Sequence, residues 1–543
     1  MRKPTRGYPD LHEHLEALKA RGLLKTVDRL IDKDSELHPL VRWQFVGGLA
    51  ESERKAFLFT NLTDGRGRGY SMPVVVGAIA ANWAIYSVGM GVPVDRIQAK
   101  WDRAIANPVA PRVVAGAQAV CQEVVIEGAA LRGEGNGLDR LPIPISTPGF
   151  DSAPTLTATN VVTRDPETGI QNMGTYRAAL KAPDRLVVRM ATRVGGAGGY
   201  VHYQKHQKRG DKTMPCAIVL GCPPYVAFMG PQKLQLGVDE VAVAGGLAGA
   251  PINVVKAKTV DLLVPAEAEI VIEGLIDTEY VEPEAPFGES HGHIALEEFN
   301  MPMRVTAITH RRNPVIPSYI SQVAPSESSV IKRVAYEPLF LAHLRNDLGI
   351  RGVRRVALHE PLTGLLRVTM IVVEKGMPRT EIWRALYGAA YFKGDCGKIC
   401  VAVNEDIDPD NADALLWAMA YRMNPVEDVR TLAHRGQGHG PKREHGHEED
   451  STLLMDATMK SDMPPLALPK KEYMERAKAI WEELGLPGLR PQPPWFGYSL
   501  GDWLPQWDEA AKRAVEGKYL ENGKRSLKQR RKNLKPETKF RPD

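Results

Sequence analysis

Residues 272–293 read IEGLIDTEYVEPEAPFGESHGH. The stretch leaves a β-branched run at 269–272 and enters a turn-rich segment, in which Glu284 and Glu289 stand five apart across Pro286-Phe287-Gly288. Proline and glycine together make a tight, stiff turn. Such a turn can aim two carboxylates into one cavity without helical spacing. A carboxylate buried there would keep its proton to higher pH and could carry protons. A solvated acidic loop would have the same letters, and this segment alone leaves both readings open.

The β-rich texture extends on both sides of this turn. Short β-branched runs at 120–126, 155–163, 185–192, 216–220, 252–256, 262–264 and 303–309 are separated by turn residues. They predict an antiparallel, barrel-like β domain over 116–325. Ahead of it, a charged helix near 8–22 and strand–helix alternations predict an N-terminal α/β unit over 1–115. Behind it, 326–347 reads as a linking helix. Strands at 353–358, 366–373 and 399–403 then alternate with helices near 379–391 and 412–422, which predicts a C-terminal α/β layer ending near 455. Residues 456–543 read as a proline-punctuated helical arm and a basic tail.

The 543 residues predict roughly three or four domains. With 43% hydrophobic and 25% charged residues the chain is too apolar to be disordered. The net charge of +5 is misleading, because residues 521–543 hold nine Lys and Arg against three acids and the body is close to neutral. That excludes a globally basic surface for nucleic acid and leaves only a tail, Lys524 to Arg541, for binding anionic surfaces. Five cysteines without a CxxC pair argue against a disulfide framework and for a reducing, cytoplasmic compartment. No apolar signal core follows Met1-Arg2-Lys3-Pro4. The uncharged stretch 72–94 is broken by Pro73, Gly77, Gly89, Gly91 and Pro93, so it predicts a buried strand and a short helix rather than a membrane span. Four histidines in 434–447 sit among glycine and charge, where nothing fixes a ligand geometry.

Two further segments carry polar chemistry. In 171–177 (QNMGTYR), Asn172 is a neutral oxygen ligand or hydrogen-bond donor, and Arg177 can clamp a carboxylate with two nitrogens. In 195–206 (GGAGGYVHYQKH), His202 and His206 share a helix face and suit a metal, a phosphate or plain solvent. The glycines lack the GxGxxG dinucleotide spacing.

Taken in order, these pieces resemble the UbiD family of reversible decarboxylases, which use prenylated flavin mononucleotide. The N-x-G-x-Y-R motif stands at Asn172, Gly174, Tyr176 and Arg177, and Gly221-Cys222-Pro223-Pro224 matches the G-x-P-P strand end. Asp239-Glu240 precedes a small-residue helix and the Val254-Val255-Lys256 strand, and VPAEAEIVIEG fills 264–274. Glu284 to Glu289 matches E-x-P-[FY]-G-[ED]. Lys398 leads ICVAVNEDIDPDN, and Arg422 to Pro425 matches R-M-[DN]-P. The resemblance runs from about 110 to 425.

The resemblance implies an α/β (α+β) fold: a split β-barrel that binds prenylated FMN, flanked by the N-terminal unit and a C-terminal oligomerisation domain. It implies reversible, non-oxidative loss of CO2 from an aromatic or α,β-unsaturated carboxylic acid. An sp2 carbanion cannot be delocalised by any side chain, so a cofactor must supply the electron sink. By motif position Glu289 is the proton donor, Arg177 orients the substrate carboxylate and Glu284 completes their ionic network. Asn172, Tyr176, Pro223 and Lys398 contact the cofactor. Asn172, Glu240 and a histidine hold a divalent metal, often manganese, with a potassium ion nearby. The expected histidine position falls in Ala197-Gly198-Gly199, so either His202, one turn downstream, substitutes or water and backbone complete the shell. Gly292-His293 departs from the usual Gly-Tyr, and His291 and His293 are candidates to line the substrate pocket, to contact the cofactor or to serve as structural loop residues. A UbiX-type flavin prenyltransferase would supply the cofactor, and family relatives are homodimers or homohexamers. The aromatics at 493–498 and Trp503 suit a neighbouring subunit or a bulky substrate, and the basic tail suits the phosphates of an aryl-CoA. An FMN- or NAD-dependent oxidoreductase on a split barrel is the alternative, and it leaves the paired glutamates unexplained.

Overall fold

The computed structural model describes residues 6–190, 197–232, 234, 237–284, 286–290, 292–296, 298–359, 367–392, 397–436, 449–460, 463–465, 470–489 and 503–529. His291, the histidines within 437–447, the aromatic segment 493–498 and the tail beyond 529 lie outside these residues.

The architecture is mixed α/β. Its centre is a ten-stranded antiparallel sheet. The main path runs Gln171–Gly174, Thr159–Arg164, Thr213–Leu220, Ile270–Asp277, Phe299–His310, Arg185–Val188, Ala178–Ala182, Thr155–Leu156. Val124–Glu127 and Glu282–Pro283 branch from the long strand Phe299–His310. The central strand Ile270–Asp277 is buried along most of its length, as its run of isoleucine, valine and leucine requires. Glu273 lies fully buried within it, and its carboxylate accepts the backbone N–H groups of Lys258 at 2.8 Å and Thr259 at 2.6 Å. The ladder slips between Glu273 and Gly274. A side chain at Gly274 would bring its Cβ within 2.3 Å of the Arg304 carbonyl, so only glycine fits this bulge.

The N-terminal unit packs on this sheet. Helix Leu11–Ala20 starts at an Asp10–Glu13 capping box and buries Leu11, His14, Leu15 and Leu18. The uncharged stretch becomes strand Val74–Val76 and helix Trp83–Met90, capped by the Asn82 side chain and ended by left-handed Gly91. Among the described residues no helix is long and apolar enough to cross a membrane. After the large sheet the chain returns, and Ile316–Ser318 pairs in parallel with Val74–Val76.

Helix Glu327–Ala342 then leads into the C-terminal layer. Its five-stranded sheet has the order Val353–Leu358, Val368–Val373, Ile399–Asn404, Glu449–Asp456, Val429–Gly436. Helix Arg379–Tyr391 packs with Ile371 and Val373, and helix Ala412–Arg422 with Met370 and Val372. Because side chains alternate along a strand, the two helices cover opposite faces. Helices Lys471–Glu483, Pro505–Val515 and Tyr519–Lys528 form an arm with no buried side chain among its described residues.

Candidate active site

Two hairpins build the charged centre. In the first, Ala178–Ala182 pairs with Arg185–Val188, with Ala178 opposite Val188. The ladder runs one step further, where Arg189 N–H donates to the Arg177 carbonyl at 3.0 Å. Arg177 and Arg189 are therefore cross-strand neighbours. In the second, Phe287–Gly288 pairs with Ile294–Ala295. Glu289 opens the connecting loop, its N–H donating to the His293 carbonyl at 3.0 Å, and Gly292 turns the chain with φ +88°. Gly288 lies against Thr147, and its N–H donates to the Asp151 carboxylate at 3.1 Å.

Arg177 grips Glu284 bidentately, Nε to Oε1 at 2.6 Å and Nη2 to Oε2 at 2.9 Å. Its Nη1 donates to Glu289 Oε1. Asn300 Nδ2 donates to Glu284 Oε2 at 3.1 Å. The Phe287 ring lies 4.6 Å from the Arg177 guanidinium carbon, a cation–π contact. Glu284 is 1% exposed and Glu289 7%, so these are buried charges held by one another. Burial pulls the Arg177 pKa down, but the hydrogen bonds and charge of Glu284 and the charge of Glu289 outweigh it, and the net shift is upward. Arg177, Glu284 and Glu289 thus come together. A second guanidinium reaches Glu289, with Arg189 Nη1 on Oε1 at 3.1 Å. The motif reading missed Arg189. The signal for it is the Ala182-Pro183-Asp184 turn, about which residues 177 and 189 are equidistant.

A second cluster adjoins the first along the Asn172–Arg177 segment. Glu240 opens a helix capped by Asp239, and its carboxylate accepts the Met173 N–H at 3.1 Å. Burial lifts Glu240 to about 7, with Asp239 adding to the rise. No cationic side chain among the described residues pairs with it. Asn172 lies against Gly198, where an added Cβ would stand 1.9 Å from Oδ1. The Tyr176 hydroxyl accepts from Asn172 Nδ2 at 3.5 Å and from Gly199 N–H at 3.4 Å. A neutral amide oxygen and a buried carboxylate without a counter-charge form a donor set that fits a hard divalent cation.

His202 is buried one turn further along helix Gly198–Arg209. Its Nδ1 and Thr163 Oγ1 share a hydrogen bond of 2.9 Å, and Thr163 is the cross-strand partner of Asn172. Burial lowers its pKa to about 4, so the ring is neutral, as a ligand must be. No group of three His, Cys, Asp or Glu side chains among the described residues can hold a metal ion. Pro223 is buried before the short helix Pro224–Ala227. Lys398 stands apart in the C-terminal sheet, paired with Asp450. His293 is exposed, and His206 pairs with Asp211 at 2.8 Å.

Residues 112–323 match the model of the 3-octaprenyl-4-hydroxybenzoate carboxy-lyase Rift-related domain, and 330–457 that of the carboxy-lyase C-terminal domain. The fold is similar to the UbiD-class enzyme HmfF from Pelotomaculum thermopropionicum in complex with FMN. That match has a TM-score of 0.75 and 28% identity over 87% of this chain and 100% of that one. An evolved dimeric form of HmfF, in complex with prFMN, matches with a TM-score of 0.72 and 28% identity over 85% of this chain and 97% of that one. An uncharacterized protein of Archaeoglobus fulgidus is 26% identical over 88% of this chain and 98% of its own length. Fold, paired family models and relatives together define a carboxy-lyase. The chain belongs to the UbiD family.

Proposed function

We propose that the protein performs reversible, prenylated-FMN-dependent decarboxylation of an aromatic or α,β-unsaturated carboxylic acid. The observation that carries this reading is the buried Arg177–Glu284–Glu289 network, assembled from segments more than a hundred residues apart. In the reaction the bond between the carboxyl carbon and its neighbour breaks, CO2 leaves, and a proton takes its place. The cofactor supplies the sink for the electron pair between those events.

The side chains do the rest. Arg177, fixed by Glu284, which Asn300 in turn holds, has its Nη1 directed at a carboxylate oxygen, and a substrate carboxylate takes that position when Glu289 yields it. Glu289 then holds the proton at Oε1 or Oε2 and passes it to the carbon that CO2 has left. The reverse reaction uses the same groups. Asn172, Glu240 and His202 would hold a divalent cation such as manganese, which together with potassium would bind the cofactor phosphate. Tyr176 and Pro223 would contact the cofactor, as their motif positions imply. The assignment of Lys398 to the phosphate rests on motif position alone. HmfF in complex with prFMN supports the cofactor. A UbiX-type prenyltransferase would supply it in the cytoplasm, and a homodimer or homohexamer is the assembly expected.

The experiment is co-production with a flavin prenyltransferase, followed by CO2-release and bicarbonate-exchange assays across aryl, heteroaryl and aryl-CoA acids. The reading expects modified-flavin absorbance and at least one acid that exchanges. Absent absorbance together with no exchange would overturn it.

A further inference from the structure

Glu289 Oε1 receives two guanidinium groups, Arg177 Nη1 and Arg189 Nη1, the latter at 3.1 Å. The other Arg189 nitrogen, Nη2, lies 3.7 Å from Glu298 Oε2. Arg189 is thus suspended between two carboxylates of unequal exposure, Glu289 at 8% and Glu298 at 38% of the side chain. Its backbone is anchored independently, by the hydrogen bond to Arg177. A proton donor must be neutral before it donates, and two cations on one oxygen favour the anion. The observed geometry is therefore that of a donor which has given its proton up. When a substrate carboxylate takes Arg177 Nη1, that contact to Glu289 is removed, while the Arg189 contact still favours the ionised form.

We propose that Arg189 is a positioning residue that keeps Glu289 ionised between turnovers and passes to Glu298 when Glu289 takes up its proton. The proposal rests on Glu289 being the proton donor. Among the described residues, the groups around Glu289 include Arg177 and Arg189 from the first hairpin and Glu284 through Arg177. Asp151 and His293 meet the backbone of the second hairpin, and Glu298 and Asn300 come from the start of the long strand. Lys332, on the linking helix, meets Ser290 at 2.9 Å. Of the two guanidinium groups on Glu289 Oε1, Arg177 is already committed to Glu284 by two hydrogen bonds, whereas Arg189 has Glu298 within reach.

The test is an infrared pH titration of the cofactor-loaded enzyme. The protonated-carboxyl band that disappears in Glu289→Gln identifies the group. In Arg189→Ala the midpoint of that band moves up by about one pH unit, since an opposite charge at this range is worth one to three units. In Arg189→Lys, which keeps a charge, it stays close to native. In Glu298→Gln Arg189 loses its second carboxylate and the midpoint moves down. The alkaline limb of the kcat–pH profile follows each shift. Unchanged midpoints in both Arg189→Ala and Glu298→Gln overturn the proposal. Midpoints that shift while the kcat limb stays fixed uphold the Arg189 clamp and remove Glu289 from the donor role instead.

Discussion

Arg177 and Glu284 form a two-point pair, 2.6 and 2.9 Å, with both side chains nearly excluded from solvent. Such a pair fixes the plane of the guanidinium and leaves Nη1 as the nitrogen directed at another carboxylate. Its value is orientation more than stability, because burying both ions is itself costly.

Glu284→Ala should therefore hurt twice. It removes the two-point grip from a buried guanidinium, which destabilises by about 3 kcal/mol. It also frees Arg177 to rotate. Hydrogen bonds to charged groups are worth about 1.5–3 kcal/mol, so CO2 release should fall by about 10- to 100-fold. Glu284→Gln should recover most of the stability and little of the rate. Denaturant unfolding and kcat on the same preparations check both.

Gly198→Ala addresses the second cluster. The new Cβ would overlap the Asn172 amide oxygen, with 1.9 Å between them, and would displace that oxygen. Metal content measured by elemental analysis should drop well below that of the native protein, with the secondary structure unchanged by circular dichroism. Equal metal content in both proteins would remove Asn172 from the donor set.

Glu327 links the linking helix to the N-terminal unit. It is fully buried and accepts N–H bonds from Gly77 at 3.2 Å and from Ile79 and Ala80 at 3.3 Å. Burial lifts it to about 7 against the pull of those N–H groups. A carboxyl that holds its proton to higher pH folded than unfolded costs stability as pH rises, between the unfolded value of 4.5 and the folded value of about 7. The loss across that window is on the order of 3 kcal/mol. Urea unfolding at pH 5 and pH 8 should show a smaller pH-dependent loss in Glu327→Gln than in the native protein. Parallel losses would show that Glu327 does not titrate there.

Much of the frame is legible from local pattern. Helices Arg379–Tyr391 and Ala412–Arg422 lie where apolar periodicity and their flanks put them. The expected strand at 120–126 is instead a turn, Val120–Gln122, followed by strand Val124–Glu127. There a tertiary contact decides, since Cys121 N–H donates to the Ala266 carbonyl at 3.2 Å. The pairing of Ile316–Ser318 with Val74–Val76 is likewise invisible to local pattern, because its partners are some 240 residues apart. At the site, Arg177, Glu284 and Glu289 are readable because each sits in a compact motif. Arg189 and Glu298 sit in no such motif: the one sequence signal for Arg189 is its symmetry with Arg177 about the turn at Pro183, and Glu298 meets Arg189 only through the folded register.

The central claim is that Glu289 delivers the proton that replaces CO2. It is tested most directly by measuring CO2 release from an active acid with cofactor-loaded native and Glu289→Gln enzyme, at equal flavin absorbance. The account predicts turnover in the native enzyme and none above background in Glu289→Gln. Turnover at the native rate in the variant would contradict it.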